Sequence, residues 1–384
     1  MEHNSDLSPS ILDLSELDLA FSNFKNKKVL ITGHTGFKGS WLASWLNYLG
    51  AKVLGIALDP ITSPSIFQII DLTSQIEDYR VDIRNIEEIE EIFLRFQPDF
   101  VFHLAAQSLV NTAFKNPKDT WEVNVIGTVN ILECLRKLDK DVTAIFITSD
   151  KCYKNVEKTQ GYSEIDILGG TDPYSASKGA AEFVISSYAK TYFRESKLNI
   201  KIASARAGNV IGGGDWSDGR LIPDCIKSWT KNKSVELRNP MATRPWQHVL
   251  EPLSGYLTLA LALQKNYKLH GEAFNFGPND DLNKNVLDLV IEMSKHWDKV
   301  KWEDLSNQKQ EFPESNLLQL NCEKADEYLG WRAALNFDET VFFTASWYKT
   351  FYLHELNMIR HSQDQIKTYS EIANKKGIKW AKLP

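Results

Sequence analysis

Between Lys27 and Asn209 the sequence changes period again and again: a short apolar, β-branched run, then a turn, then an amphipathic stretch. The runs KKVLITG, AKVLGIAL, YRVDIRN, PDFVFHLAAQS, AIFITS and LNIKIASARAGNV read as strands. SWLASWLNYLG, IEEIEEIFLRF and WEVNVIGTVNILECLRKL read as helices between them. Parallel neighbours cannot be joined by a tight hairpin and need a crossover, which a helix supplies. Strict alternation therefore predicts an α/β fold: a Rossmann-type, doubly wound parallel sheet with helices on both faces. After Asn209 the rhythm breaks into segments rich in Gly, Pro and Trp, which predicts a smaller C-terminal domain closing over the carboxyl ends of the strands.

Where the first strand meets the first helix the chain reads Gly33-His34-Thr35-Gly36-Phe37-Lys38-Gly39. Glycines let backbone N–H groups approach a pyrophosphate, and a helix N-terminus adds partial positive charge there. Three glycines in a turn are weak evidence alone. The strand–turn–helix setting makes them a dinucleotide pattern, with Gly33, Thr35, Gly36, Phe37 and Gly39 as its cofactor residues. Charge favours NAD over NADP: a 2′-phosphate calls for Arg or Lys beyond the second strand, and none lies between Leu54 and Tyr79. Asp59 is the candidate for the ribose hydroxyls, although an Asp-Pro step is also an ordinary turn.

The expected division is a cofactor domain over 23–206 and a substrate domain over 207–350, with segments around 245–280 returning to the sheet. Residues 1–22 form an amphipathic helix or an unanchored arm, and 351–384 a helical, peripheral segment. With 43% hydrophobic and 24% charged residues among 384, the composition is that of a folded globular protein. A net charge of −6 without a basic cluster argues against nucleic acid as a partner. No apolar stretch nears the roughly 20 residues needed to span a bilayer, and no signal-peptide pattern is visible. Cys134, Cys152, Cys225 and Cys322 lie far apart without metal-ligand spacing. No metal is expected, and a reducing, cytoplasmic setting is.

Two local features carry chemistry. The apolar run from Ala144 ends abruptly in Thr148, Ser149, Asp150, Lys151, Cys152 and Tyr153. Strands commonly end at the surface, where charge costs little, and that plain explanation would suffice by itself. The second feature is GGTDPYSASKGAAEFVISSYAKTYF. Asp172 is placed to cap a helix, Pro173 suits its first turn, and Tyr174 and Lys178 then fall four apart on one face. A tyrosine acting as a base must have its phenolate stabilised from a reference pKa of about 10, and a nearby ammonium does this. The spacing alone is common by chance; with a glycine turn upstream it becomes specific.

Taken together, GxxGxxG, DIR at 82–84, HLAAQS at 103–108, NVIGT at 124–128, the hydroxyl-bearing strand end and YxxxK resemble the extended short-chain dehydrogenase/reductases. The resemblance implies that Tyr174 takes a proton from a sugar hydroxyl as hydride passes to NAD. It implies that Lys178 holds the nicotinamide ribose, that Asp82 and Ile83 meet the adenine, and that Ala105 lines the cofactor cleft. An acid and a base after the strand-end hydroxyl resemble the nucleotide-sugar 4,6-dehydratases, which must expel water, and not the simple epimerases. Ser149-Asp150-Lys151 stands where many of them carry Thr-Asp-Glu. With TGHTGFKGSW (32–41), LGGTDPYSASKG (168–179), ARAGNVIGGGDW (205–216) and RNPMATRPWQHVLEPLSGYL (238–257), it is similar to the CDP-glucose branch over residues 25–350. On that resemblance Ser149 would hydrogen-bond the C4 oxygen, Asp150 would be the general acid, and Lys151 would act at C5. Strand neighbours face opposite ways, so Asp150 and Lys151 converge on one sugar only if the chain leaves extended geometry there. Lys151 is a base only when neutral; charged, it would stabilise the enolate oxygen or support Asp150.

In the second half, Arg220, Arg238, Arg244 and Trp246 fall in a region otherwise short of basic charge. A sugar-nucleotide diphosphate needs arginine partners; Arg244 is the first choice and Arg220 the second. Asn209 resembles the family's sugar or phosphate ligand. Trp246 and His248 fit core packing equally well, and Cys152 is expected as a packed thiol, since no step needs a covalent intermediate. The resemblance also implies a homodimer formed through helices flanking the sheet. A nucleotide-sugar 4-epimerase, a dehydratase of dTDP-glucose or GDP-mannose, and an inactive NAD-binding regulator remain as alternatives.

Overall fold

The computed structural model describes residues 21–194, 200–278, 283–298, 300–306, 317–353 and 357–381. Of the expected N-terminal arm, 1–20 lie outside them. Six strands, β1 (Lys28–Thr32), β2 (Lys52–Ala57), β3 (Glu77–Arg80), β4 (Phe100–His103), β5 (Val142–Ile147) and β6 (Ile200–Ala207), join Ala273–Phe276 in one seven-stranded sheet. Its order is Ala273–Phe276, β6, β5, β4, β1, β2, β3, and every pair is parallel. The order reverses between β1 and β4, so the loops leaving those strands diverge and open a crevice at their carboxyl ends.

Strands covered on both faces read as continuous apolar runs. Here Val29, Ile31, Phe102 and Ile145 enter one core cluster, while Leu30, Leu54, Val101 and Phe146 enter the other. The run YRVDIRN begins as a strand but leaves the ladder at Arg80. Asp82 accepts the Arg84 backbone N–H at 2.9 Å, a local turn that competes with strand pairing. Helix Pro173–Thr191 starts as its sequence predicts: Pro173 is its first residue, and Asp172 accepts the Ser175 N–H at 3.0 Å.

Beyond β6 the described residues form three two-stranded ribbons: Val210–Ile211 with Gln247–His248, Thr243–Pro245 with Asn283–Asn285, and Val235–Leu237 with Trp302–Asp304. Helix Leu250–Lys265 packs against β5 and β6 and leads to the edge strand Ala273–Phe276. The C-terminal helix Met358–Lys375 is not peripheral, contrary to the sequence expectation. Ile366, Tyr369 and Ala373 form one apolar stripe buried in the main core. Tyr369 stacks on Trp380, and Trp380 on Phe21, at 5.5 and 5.4 Å between ring centroids. Among the described residues no helix is long and apolar enough to cross a membrane.

Candidate active site

The glycine turn after β1 is built as a cradle. Gly33 has φ +80°, and a Cβ there would lie 2.7 Å from the Ala105 nitrogen. A Cβ on Gly39 would lie 2.1 Å from the Gly33 oxygen. Gly36 caps the helix Phe37–Tyr48 without any side-chain hydrogen bond, which leaves the first N–H groups of that helix free to meet an anion. The Thr35 hydroxyl donates to the Leu58 carbonyl at 2.9 Å and ties the turn to the end of β2. A pyrophosphate suits this donor set and its lack of side chains.

At the neighbouring strand ends the residues are differently placed. Asp59 is 88% exposed and accepts from Arg80 Nε at 3.1 Å. Arg80 lies one residue beyond the stretch from Leu54 to Tyr79 that holds no Lys or Arg, and the strand register sets it opposite Ala57. A carboxylate and a guanidinium therefore meet at the carboxyl ends of β2 and β3, and local charge alone does not choose NAD over NADP. Arg80 also donates to Asp78 at 3.0 Å, and the buried His34 lies 2.7 Å from the same carboxylate. The Asp82 carboxylate is engaged by Arg84 at 2.6 Å, and that bond holds its pKa below the ordinary range. Ile83 packs beneath Gly127, where an added Cβ would come within 2.4 Å of its side chain.

β5 delivers the chemistry. Ser149 is still extended, and the chain then turns into one 3-10 turn, Asp150–Cys152. Strand geometry thus ends at the residue where convergence of Asp150 and Lys151 requires it to end. The Ser149 hydroxyl donates to Asp150 Oδ1 at 2.9 Å, accepts the Lys151 N–H at 3.2 Å, and is in hydrogen-bond contact with Tyr174. Burial pushes the Asp150 pKa up, against the opposing charge of Lys151. Burial likewise raises Tyr174 to about 12, opposed by Ser149. Lys178 is lowered to about 8 by burial, opposed by Glu182 and Cys152.

Lys38, in the glycine turn, was not singled out by sequence reasoning. Its ammonium is lowered to about 8 by burial and by the charge of Arg220, with Asp150 opposing and Lys178 adding to the effect. Its position in the first turn of a helix that opens on the crevice was the available signal. Arg220 also acts on Tyr174 and is held by Asp215 at 2.8 Å. The fold therefore gathers Ser149, Asp150, Tyr174, Lys178, Lys38 and Arg220 at one end of the sheet. Lys151, half-buried, lies on the same turn. Asn209 is exposed just past β6, next to Gly208, where an added Cβ would lie 3.1 Å from Asp150 Oδ2. Arg244 sits on the Thr243–Pro245 ribbon, and its guanidinium donates to the Thr243 carbonyl at 2.9 Å.

Trp246 and His248 prove to be packing residues. Trp246 donates to the Lys284 carbonyl at 2.9 Å, and His248 is fully buried between Trp41 and Phe343. The Cys152 thiol is buried, and burial pushes its pKa up, so it is a packed thiol.

A family model for GDP-mannose 4,6 dehydratase matches residues 30–342. The chain is 43% identical over 350 residues to the CDP-glucose 4,6-dehydratase of Salmonella typhimurium, covering 90% of this chain and 97% of that one. It is 26% identical to the dTDP-glucose 4,6-dehydratase of Haemophilus influenzae, covering 83% and 97%. Its fold resembles that of an epimerase from Methanothermobacter thermautotrophicus (TM-score 0.72, 22% identity, 91% and 96% covered). It also resembles a dTDP-glucose 4,6-dehydratase from Bacillus anthracis solved with NAD (TM-score 0.68, 22% identity, 84% and 97% covered). The match runs through every strand of the sheet and through the turn that carries Asp150, and by it the chain belongs to the GDP-mannose 4,6 dehydratase family.

Proposed function

We propose that this protein is an NAD-dependent nucleotide-sugar 4,6-dehydratase that converts CDP-glucose to CDP-4-keto-6-deoxyglucose. The observation that carries the reading is Asp150: a buried carboxyl, its proton favoured by burial, next to the Tyr174–Lys178 pair. The 43% identical relative, named for the same reaction, supports the choice of nucleotide.

Gly33, Thr35, Gly36, Phe37, Gly39 and Ala105 would hold the cofactor's pyrophosphate and nicotinamide half, with Asp59, Asp82 and Ile83 toward its adenosine. When bound, NAD supplies a hydride acceptor for C4 and a hydride donor for C6, and so ends as it began. Tyr174 withdraws the proton of the C4 hydroxyl, with Ser149 and Arg220 favouring its phenolate; the Lys178 ammonium one helical turn away would add to this. Ser149 bonds the same oxygen. The C4 ketone makes the C5 proton acidic, and Lys151 removes it. Asp150 gives its proton to the departing C6 hydroxyl, which leaves as water, and Lys151 returns a proton to C5. General acid–base help of this kind contributes roughly 10²–10⁴-fold per group. Asn209, Arg220 and Arg244 would bind the sugar and diphosphate, so that 23–206 serves the cofactor and 207–350 the substrate.

A second copy of the chain would cover Trp121, Ile126 and Phe183, large apolar residues left exposed on the helices beside Tyr174. The reaction suits cytoplasmic supply of a deoxysugar for an O-antigen-type lipopolysaccharide. Purified protein incubated with CDP-glucose, dTDP-glucose and GDP-mannose in turn tests the reading through the alkali-induced absorbance of a 4-keto-6-deoxy product. The chromophore is expected with CDP-glucose; its absence with all three would sink the dehydratase assignment. Lys151→Met is expected to reduce bound cofactor in a single turnover yet release no 6-deoxy product. Ordinary turnover in that variant would remove Lys151 from the mechanism.

A further inference from the structure

Glu182 is a carboxylate that the reaction above does not use. It lies four residues beyond Lys178 on helix Pro173–Thr191 and is 5% exposed. Its Oε1 accepts from the Thr148 hydroxyl at 2.5 Å; its Oε2 accepts from the Ser204 hydroxyl and from Arg206 Nη2, each at 2.8 Å. Thr148 immediately precedes Ser149, while Ser204 and Arg206 stand on β6. Arg206, itself buried, donates onward to the Tyr153 hydroxyl at 2.7 Å, which donates to Asn275 Oδ1 at 2.8 Å. One carboxylate thereby ties the Tyr174–Lys178 helix to the ends of β5 and β6. Its arginine partner ties both to the residue after the catalytic turn and to the edge strand.

A buried ion pair is a poor source of stability, because desolvation offsets most of its attraction and an apolar pair of like volume often serves as well. This pair has a second effect, on Lys178. The Lys178 ammonium is faced by Lys38 from the first helix, by His103 from β4 and by Cys152 from the catalytic turn, with Asp150 on that turn and Arg206 on β6 beyond Glu182. Burial disfavours the ammonium, and Glu182 is the largest influence acting the other way.

We propose that Glu182 is a positioning residue for the reaction: clamped by Thr148, Ser204 and Arg206, it fixes the Tyr174–Lys178 helix against the catalytic turn and keeps the Lys178 side chain cationic beside Tyr174. The inference rests on the proposed redox use of Tyr174.

The test is the pH dependence of cofactor reduction in a single turnover with CDP-glucose, followed by the near-ultraviolet absorbance of the reduced cofactor. Two neutral replacements of the pair, E182Q/R206Q and E182L/R206M, avoid leaving a lone buried charge. In both, the limb that reports ionisation of Tyr174 is expected to move upward by about one pH unit, about a tenfold loss of rate at a given pH below it. Glu182→Asp keeps the charge and the arginine, and is expected to hold the limb at its wild-type position at a lower rate. An unmoved limb in a folded double variant, or a displaced limb in E182D, would overturn the proposal. If the wild type itself reduces no cofactor with any sugar nucleotide, the proposed function falls instead, so the two failures are told apart.

Discussion

Asp150 and Glu182 lie equally deep at the same end of the sheet, 6% and 5% exposed, yet they behave as opposite chemical groups. Burial raises both. In Glu182 it is overcome by Arg206 and by the Thr148 and Ser204 hydroxyls, which hold the carboxylate below its ordinary range. Asp150 receives the charges of Lys151 and Lys38, the Ser149 hydroxyl and the Lys151 backbone N–H, but no guanidinium bonds it among the described residues, and burial prevails. Depth does not separate a fixed anion from a proton source; donors and cations at hydrogen-bond distance do.

The strongest way to break the contrast is Asp150→Asn. Product formation is expected to fall by roughly 10²–10⁴-fold, while thermal unfolding stays level or improves, because a buried ionisable group is gone. Full turnover in that variant would mean that Asp150 is no acid. Glu182→Ala should do the reverse of that stability result. It leaves the Arg206 guanidinium buried without its carboxylate and is expected to cost about 3–5 kcal/mol in denaturant unfolding. An unchanged midpoint would show that water or a neighbour readily replaces the pair.

Glu251 sharpens the comparison, since it too has three donors: the Ala334 and Leu335 N–H groups, at 2.9 and 2.6 Å, and the Tyr369 hydroxyl at 2.7 Å. Among the described residues no guanidinium bonds it, the charge of Lys376 offsets burial only in part, and burial lifts it to about 7. Donor number alone therefore does not hold a buried carboxylate ionised. Its folded pKa stands above its unfolded one, so its contribution to stability is complete below about 4.5 and is lost as pH rises through about 7. Over that window it is worth at most about 3 kcal/mol. Glu251→Gln is expected to flatten the pH dependence of unfolding there; an equally steep slope would assign it to other groups. The smallest effect belongs to the exposed end of the series. Asp59→Asn should change stability by only ~0–1 kcal/mol, as for other solvated pairs; a larger loss would show that Arg80 depends on Asp59 for its place beside Asp78.

The alternation of strand and helix, the glycine turn, the Asp172–Pro173 helix start and the Tyr174–Lys178 spacing were all legible in the sequence. Each is a local signal, carried by residues within a few positions of one another. Lys38, Arg80 and Glu182 were not. Lys38 meets Asp150 across more than a hundred residues, and Arg80 meets Asp59 only because parallel register sets β3 beside β2. The stripe of Ile366, Tyr369 and Ala373 was visible as helical, but nothing in its spacing shows that Glu251 and Trp380 complete a core around it. YRVDIRN shows the converse, a strand pattern cut short by the short-range turn at Asp82.

As a bare string the chain already commits itself to a parallel sheet, a phosphate-friendly turn and a tyrosine one helical turn from a lysine, because period and capping act through neighbours. Folding alone assigns the protons. Whether a carboxyl at the end of β5 gives up its hydrogen, or one on the adjoining helix never holds any, depends on hydroxyls and guanidinium groups brought in from other strands, and no spacing along the chain records those encounters.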